Sequence, residues 1–144
     1  MPSSIAIGAG VFEIRREQYR TGQFHVEYKS SFPMWKFSPM AGIMMTFKGS
    51  VYTYAGILFD ISSKHFFLTP SFCPGYYYKG KGRDLGYPLE FRSSIEVGYK
   101  FNDLSRLGIQ FYHISNASLG KRNPGEESLV LSYSFPIKSL LPKK

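Results

Sequence analysis

The sequence predicts an all-β chain, an eight-stranded antiparallel transmembrane β-barrel, and three observations carry that expectation. The first is composition. Of 144 residues, 43% are hydrophobic and 17% aromatic, with 13 Phe, 11 Tyr and 14 Gly. This balance suits strands, and no stretch is dominated by helix formers. The second is segmentation into about eight runs of strand length, each bounded by turn residues. The third is strict alternation in the sixth run. Phe91, Ser93, Ile95, Val97, Tyr99 and Phe101 fall on one face. Arg92, Ser94, Glu96, Gly98, Lys100 and Asn102 fall on the other, with charges of both signs.

In chain order the first run is Ile5–Ile14, with Gly8, Gly10 and Phe12 on one face. Thr21–Lys29 follows, where His25 alternates with Phe24 and Val26 and reads as a polar-face residue. Met40–Lys48 and Val51–Asp60 are joined by a tight Lys48-Gly49-Ser50 turn, and the latter aligns Tyr54, Gly56 and Leu58. His65 sits at the turn into Phe66–Tyr78. A longer loop, Lys79-Gly80-Lys81-Gly82-Arg83-Asp84, leads to Leu89–Phe101. A tight Asn102-Asp103 turn leads to Arg106–Ser115, and the last run is Glu127–Ile137. Most runs approach the roughly 9 to 11 residues of a tilted membrane strand.

Eight strands suit either a small outer-membrane barrel or a lipocalin-like one. Two features favour the membrane. Polar faces bear glycine, as inner faces of small barrels do. Aromatics stand near run ends, at Trp35, Phe37, Tyr76, Tyr77, Tyr78 and Tyr99, where they would form interfacial girdles. There is no internal repeat or linker, so residues 1–144 form one domain. No run has the roughly 18 to 20 apolar residues of a membrane helix. The start, Met1-Pro2-Ser3-Ser4, does not read as a signal peptide. Either this is a mature chain or the protein is cytosolic.

The formal charge of +8 admits nucleic acid, anionic membrane or anionic lipid headgroups as partners. Nucleic acid is the weakest of these, because the basic residues are scattered and no stacking motif organises them. One cysteine, Cys73, excludes an intramolecular disulfide and a multi-cysteine zinc site. It reads as a small apolar residue.

The chemistry gathers in the last forty or so residues. Phe111-Tyr112-His113-Ile114-Ser115-Asn116-Ala117 is followed by Asn123-Pro124-Gly125-Glu126-Glu127-Ser128. A serine, a histidine and a carboxylate are the parts of a serine hydrolase: nucleophile, base, and a group that orients the base. Residues two apart on a strand lie about 6.6 Å apart at Cα, within reach of an imidazole and a hydroxyl. If His113 stands opposite Glu127, then Phe111 meets Leu129, Ile109 meets Leu131 and Leu107 meets Tyr133. Every pair is apolar, as a specified register requires. Glu126 and Ser128 then point the other way. The candidates therefore lie on the apolar face. In a membrane barrel that face meets lipid, and a lipid ester would be attacked side-on.

The two segments resemble the lipid A 3-O-deacylases of Gram-negative outer membranes, the PagL type. The matching motif is the run His113-Ile114-Ser115-Asn116-Ala117, followed after a short loop by Glu127-Ser128. It covers about 16 residues closely, and the eight-strand layout extends it loosely to the whole chain. The resemblance implies an outer-membrane esterase that removes the 3-position acyl chain of lipid A (lipopolysaccharide). It implies Ser115 as nucleophile, His113 as general base and Glu127 as the residue that orients it. Asn116 would serve the oxyanion, and Asn123 would support the site. The family commonly has glycine where this chain has Ser118, whose amide would still serve the oxyanion. Outer-membrane proteins often end in an aromatic residue, whereas this chain ends Leu140-Leu141-Pro142-Lys143-Lys144.

No metal or organic cofactor is expected. Lys79, Lys81, Arg83, Lys121 and Arg122 fall in the two loops expected to be extracellular, where they would contact lipid A phosphates as charge-assisted donors. Two other classes of reading stand beside this one. A barrel without chemistry would be a lipid carrier or a structural outer-membrane protein, and its His113 and Ser115 a surface polar pair. A phospholipase or acyltransferase would use the same triad on another ester.

Overall fold

The computed structural model describes residues 2–32, 36–82, 84–121 and 124–137. Its strands are β1 (Ser4–Phe12), β2 (Thr21–Lys29), β3 (Ser38–Thr46), β4 (Val51–Leu58), β5 (Ile61–Ser62), β6 (Phe66–Tyr78), β7 (Leu89–Lys100), β8 (Arg106–Ser115) and β9 (Glu126–Pro136). A single 3-10 turn, Glu17–Tyr19, lies between β1 and β2 among the described residues. All pairings are antiparallel. Pairing of β1 with β9 and of β4 with β6 closes the sheet into a barrel.

β5 continues the line of β4 along β6, with Leu58 opposite Ser71 and Ile61 opposite Leu68. The two are one barrel strand with a break at Phe59-Asp60, which leaves eight staves in all. The break has a local cause. The Phe59 N–H donates to the Pro70 carbonyl at 3.0 Å, but Pro70 has no N–H to return.

Several strand boundaries differ from expectation by one or two residues, and those of β1 and β3 have a clear local cause. β1 stops at Phe12 rather than Ile14, because Glu13 takes a φ of 61° and turns the chain. β3 spans Ser38–Thr46 rather than Met40–Lys48, because the hairpin turn already begins at Thr46. There the Thr46 carbonyl accepts the Gly49 N–H at 3.1 Å, and Gly49 supplies a φ of 84°.

The barrel is apolar outside and polar inside. Ile7, Phe24, Val26, Ile43, Phe72, Ile95, Ile109 and Leu131 are exposed on the outer face. The inner face of β2 carries Gln23, His25, Glu27 and Lys29, and that of β7 carries Glu90, Arg92, Ser94 and Glu96, all buried. A water-soluble barrel would invert this arrangement; a barrel that stands in lipid requires it. Cys73 is a buried residue of the interior.

Inside, several buried charges are matched by charge. Lys29 Nζ lies 2.9 Å from Glu96 Oε1. Arg106 makes a two-point bond to Asp60 at 2.6 and 3.1 Å. Arg92 is the centre of a larger cluster. Its Nη2 sits 3.2 Å from Glu27 Oε2 and donates to Gln110 Oε1 at 2.8 Å. Its guanidinium lies between the rings of Tyr54 and Tyr112, 4.6 and 4.4 Å from their centres. The Tyr54 hydroxyl donates to the same Glu27 oxygen at 2.6 Å.

Parity also sorts the aromatics expected at run ends. Tyr76, Tyr78 and Tyr99 are exposed on the outer face. Tyr77 corrects the expectation: it points inward, is buried, and stacks on Phe12 at 6.3 Å. Phe37 packs against Phe59 at 5.9 Å, and Trp35 lies outside the described residues.

Up-and-down order puts the β1–β2, β3–β4, β6–β7 and β8–β9 connections at one end of the barrel. The start of β1, the end of β9 and the other connections lie at the opposite end.

Removing one partner of a buried ion pair strands the other, a loss of about 3–5 kcal/mol. Arg92→Ala should therefore destabilise the detergent-folded barrel by about that amount in urea unfolding followed by circular dichroism. A change below about 1 kcal/mol would contradict a charge-paired interior.

Candidate active site

The register of the last two strands builds the site. β8 and β9 pair His113 with Glu127, Phe111 with Leu129, Ile109 with Leu131 and Leu107 with Tyr133, the alignment read from the apolar faces. On the other side of β8, Ser93 of β7 stands opposite His113, and Phe91 opposite Ser115. His113 and Ser115 thus share the outward face of β8, one strand repeat apart.

His113 Nδ1 lies 2.7 Å from Glu127 Oε2. With Nδ1 held by the carboxylate, Nε2 is the nitrogen left for a second partner. The His113 side chain is 45% exposed, and that of Glu127 only 8%. Glu126, one residue earlier, points the opposite way as a strand dictates. It is fully buried, and its Oε1 accepts the Glu13 N–H at 3.0 Å and the Ser128 hydroxyl.

Glu127 is shielded although it stands on the outer wall. The connection after β1 arches over it. Arg15 Nη1 donates to Glu127 Oε1 at 2.7 Å, and the Ile14 N–H donates to the Glu127 carbonyl at 2.9 Å. The two carboxylate oxygens are thus divided between Arg15 and His113. Sequence reasoning missed Arg15, which lies 112 positions from Glu127. A signal was available: closing an up-and-down barrel sets the residues just after the first strand against the start of the last.

Gly125 is the second residue missed. Its φ is 69°, and a Cβ built there would come 3.1 Å from His113 Cε1. Its backbone therefore packs directly on the imidazole, in a conformation that favours glycine.

Asn116 follows Ser115 and turns inward, fully buried. Its Nδ2 donates to the Leu85 carbonyl at 3.2 Å, and its Oδ1 accepts the Ser118 N–H at 2.8 Å. Ala117 and Ser118 take φ values of 53° and 65°. Such backbone in non-glycine residues persists only where its surroundings hold it. The position where the family commonly has glycine thus adopts a conformation that favours glycine. In this structure the Ser118 amide is spent within its own turn.

Lys79, Lys81 and Lys121 are exposed on connections at the same end of the barrel as His113 and Glu127. Asn123, Arg83 and Arg122 lie outside the described residues. Among the described residues, no group of three or more His, Cys, Asp or Glu side chains is gathered as a metal site. Further down the wall, an apolar groove of about 800 Å³ is lined by Leu68, Val97, Tyr99, Leu107, Ile109 and Leu131.

Gly125→Ala should cost about 1–2 kcal/mol of stability from its left-handed backbone and shift the His113 imidazole resonances in NMR spectra. Unchanged resonances would mean that Gly125 does not hold the ring.

A family model described as lipid A 3-O-deacylase (PagL) matches residues 7–136. The lipid A deacylase PagL of Pseudomonas aeruginosa is 40% identical over 55 residues, which are 38% of this chain and 32% of that protein. The chain's match therefore spans less than two thirds of that relative's length. The crystal structure of the outer membrane enzyme PagL superposes with a TM-score of 0.72 at 20% identity, covering 92% of this chain and 99% of that one. That likeness shows a common fold. With its strands matched almost end to end by the family model, the chain belongs to the lipid A 3-O-deacylase family.

Proposed function

We propose that this protein is a serine esterase of the bacterial outer membrane that hydrolyses the 3-O-acyl ester of lipid A. The observation that carries the reading is the 2.7 Å contact between His113 Nδ1 and Glu127 Oε2, on the outward wall beside Ser115. Ser115 is the nucleophile. His113 takes its proton through Nε2, and Glu127 holds the imidazole in the tautomer that allows this and stabilises the imidazolium. Ser115 Oγ attacks the ester carbonyl. The oxyanion is met by the main-chain N–H groups of Asn116 and Ala117, in a turn that the buried Asn116 side chain shapes by accepting the Ser118 N–H. Asn123 is the further residue that supports the site. Collapse returns the proton to the departing 3-alcohol, and water then releases the acyl chain by the reverse sequence.

The wall explains how a lipid reaches the site. Leu131 lies four residues beyond Glu127, about 13 Å along the strand. The acyl chain of a neighbouring lipid lies along this wall, in the groove between Ile109, Leu131 and Val97. Lys79, Lys81 and Lys121, with Arg83 and Arg122 of the same loops, contact the lipid A phosphates. The short turns face the periplasm, and the end that bears the site faces the outer leaflet.

Mass spectrometry of lipid A incubated with detergent-folded protein tests the reading. Wild type should remove one 3-hydroxyacyl chain and Ser115→Ala none; intact lipid A with wild-type barrel would reject it. The two glutamates should also separate. Glu127→Ala should lower turnover by about 10²–10⁴-fold with the barrel still folded. Glu126→Ala should instead lower stability by about 1–3 kcal/mol, because it leaves the buried donors of Glu13 and Ser128 unpaired. Equal losses of turnover, or the reverse order, would reject Glu127.

A further inference from the structure

Arg15 does more than its exposure suggests. Its side chain is 65% exposed, and an ion pair between two exposed groups contributes little. Its partner, however, is 8% exposed, and the pair is part of a larger clamp. One carboxylate oxygen of Glu127 is bound by Arg15 and the other by His113, each at 2.7 Å. The carboxylate cannot rotate without losing one of them. The main chain is held as well, by the Ile14 N–H on the Glu127 carbonyl. Arg20 completes the strap, with Nη2 donating to the Ile14 carbonyl at 2.8 Å.

We propose that Arg15 is a positioning residue of the esterase, which acts on His113 through Glu127. The proposal rests on the triad reading. Arg15 fixes the carboxylate so that its second oxygen meets Nδ1. The groups that meet His113 are Glu127 from β9, with Arg15 behind it from the β1–β2 connection, uncharged Ser93 from β7, and the backbone of Gly125. Loss of the guanidinium therefore frees one carboxylate oxygen to turn. Nδ1 then loses the fixed partner that sets the ring's tautomer and orientation.

Two readouts on detergent-folded Arg15→Ala and Arg15→Lys test this. The first needs no substrate: the His113 Nδ1–H resonance is followed by NMR. In Arg15→Ala it should broaden or shift as the bond to Glu127 loosens, and Arg15→Lys should return it towards wild type. The second is hydrolysis of lipid A in mixed micelles. Arg15→Ala should lower kcat about tenfold, with KM within about twofold. Arg15→Lys should recover part of the rate. An unchanged Nδ1–H resonance would overturn the proposal, whatever the rate. So would a raised KM with kcat intact, which would make Arg15 a headgroup contact. If wild type leaves lipid A intact while the Nδ1–H resonance still moves in Arg15→Ala, the substrate reading fails and the coupling of Arg15 to His113 stands.

Discussion

A strand that stands in lipid must satisfy its backbone through its neighbours and present apolar side chains on one face only. Everything else in this molecule follows from that requirement. Closure satisfies the backbone, since β1 meets β9 and β4 meets β6. Strand parity then divides the sequence. One alternate set faces lipid, and the other fills the interior with Arg92, Glu27, Lys29, Glu96 and their hydrogen-bonding partners. A histidine and a serine two apart on β8 must share a face, and in this barrel that face is the lipid side. The proposed chemistry thus sits where acyl chains pass and does not require a cleft.

The same parity gives two adjacent glutamates separate tasks. Glu126 turns inward and anchors the turn after β1 through the Glu13 N–H. Glu127 turns outward and meets His113. The chain after β1 binds both, by main chain at Glu13 and Ile14 and by side chain at Arg15. The wall that carries the site is therefore braced from the strand that closes the barrel, across 112 and 113 positions of sequence. A carboxylate that would otherwise swing in lipid or water is held at two points.

Most of this was legible in the sequence, for a definite reason. Alternation with a period of two, read against a barrel, determines faces, and the apolar pairs Phe111–Leu129, Ile109–Leu131 and Leu107–Tyr133 determine register. Together they place His113 opposite Glu127 and turn Glu126 away, as found. What was not legible depends on local backbone or on distant loops. Glu13 ends β1 with a left-handed residue that no propensity announces. Tyr77 was expected at an interface by its aromatic neighbours, but parity sends it inward between Tyr76 and Tyr78. Pro70 breaks the strand opposite it, an effect on a partner rather than on its own run. Arg15 bears no motif and is brought to Glu127 only by closure.

Covalent labelling tests the central claim most directly. A fluorophosphonate with a long alkyl chain, added to barrels reconstituted in liposomes, would react with an activated serine on the lipid-facing wall. Peptide mass spectrometry should then find the adduct on Ser115 in wild type and lose it in His113→Ala. An adduct on another serine, or an unlabelled Ser115 in a barrel that still cleaves lipid A, would contradict the account.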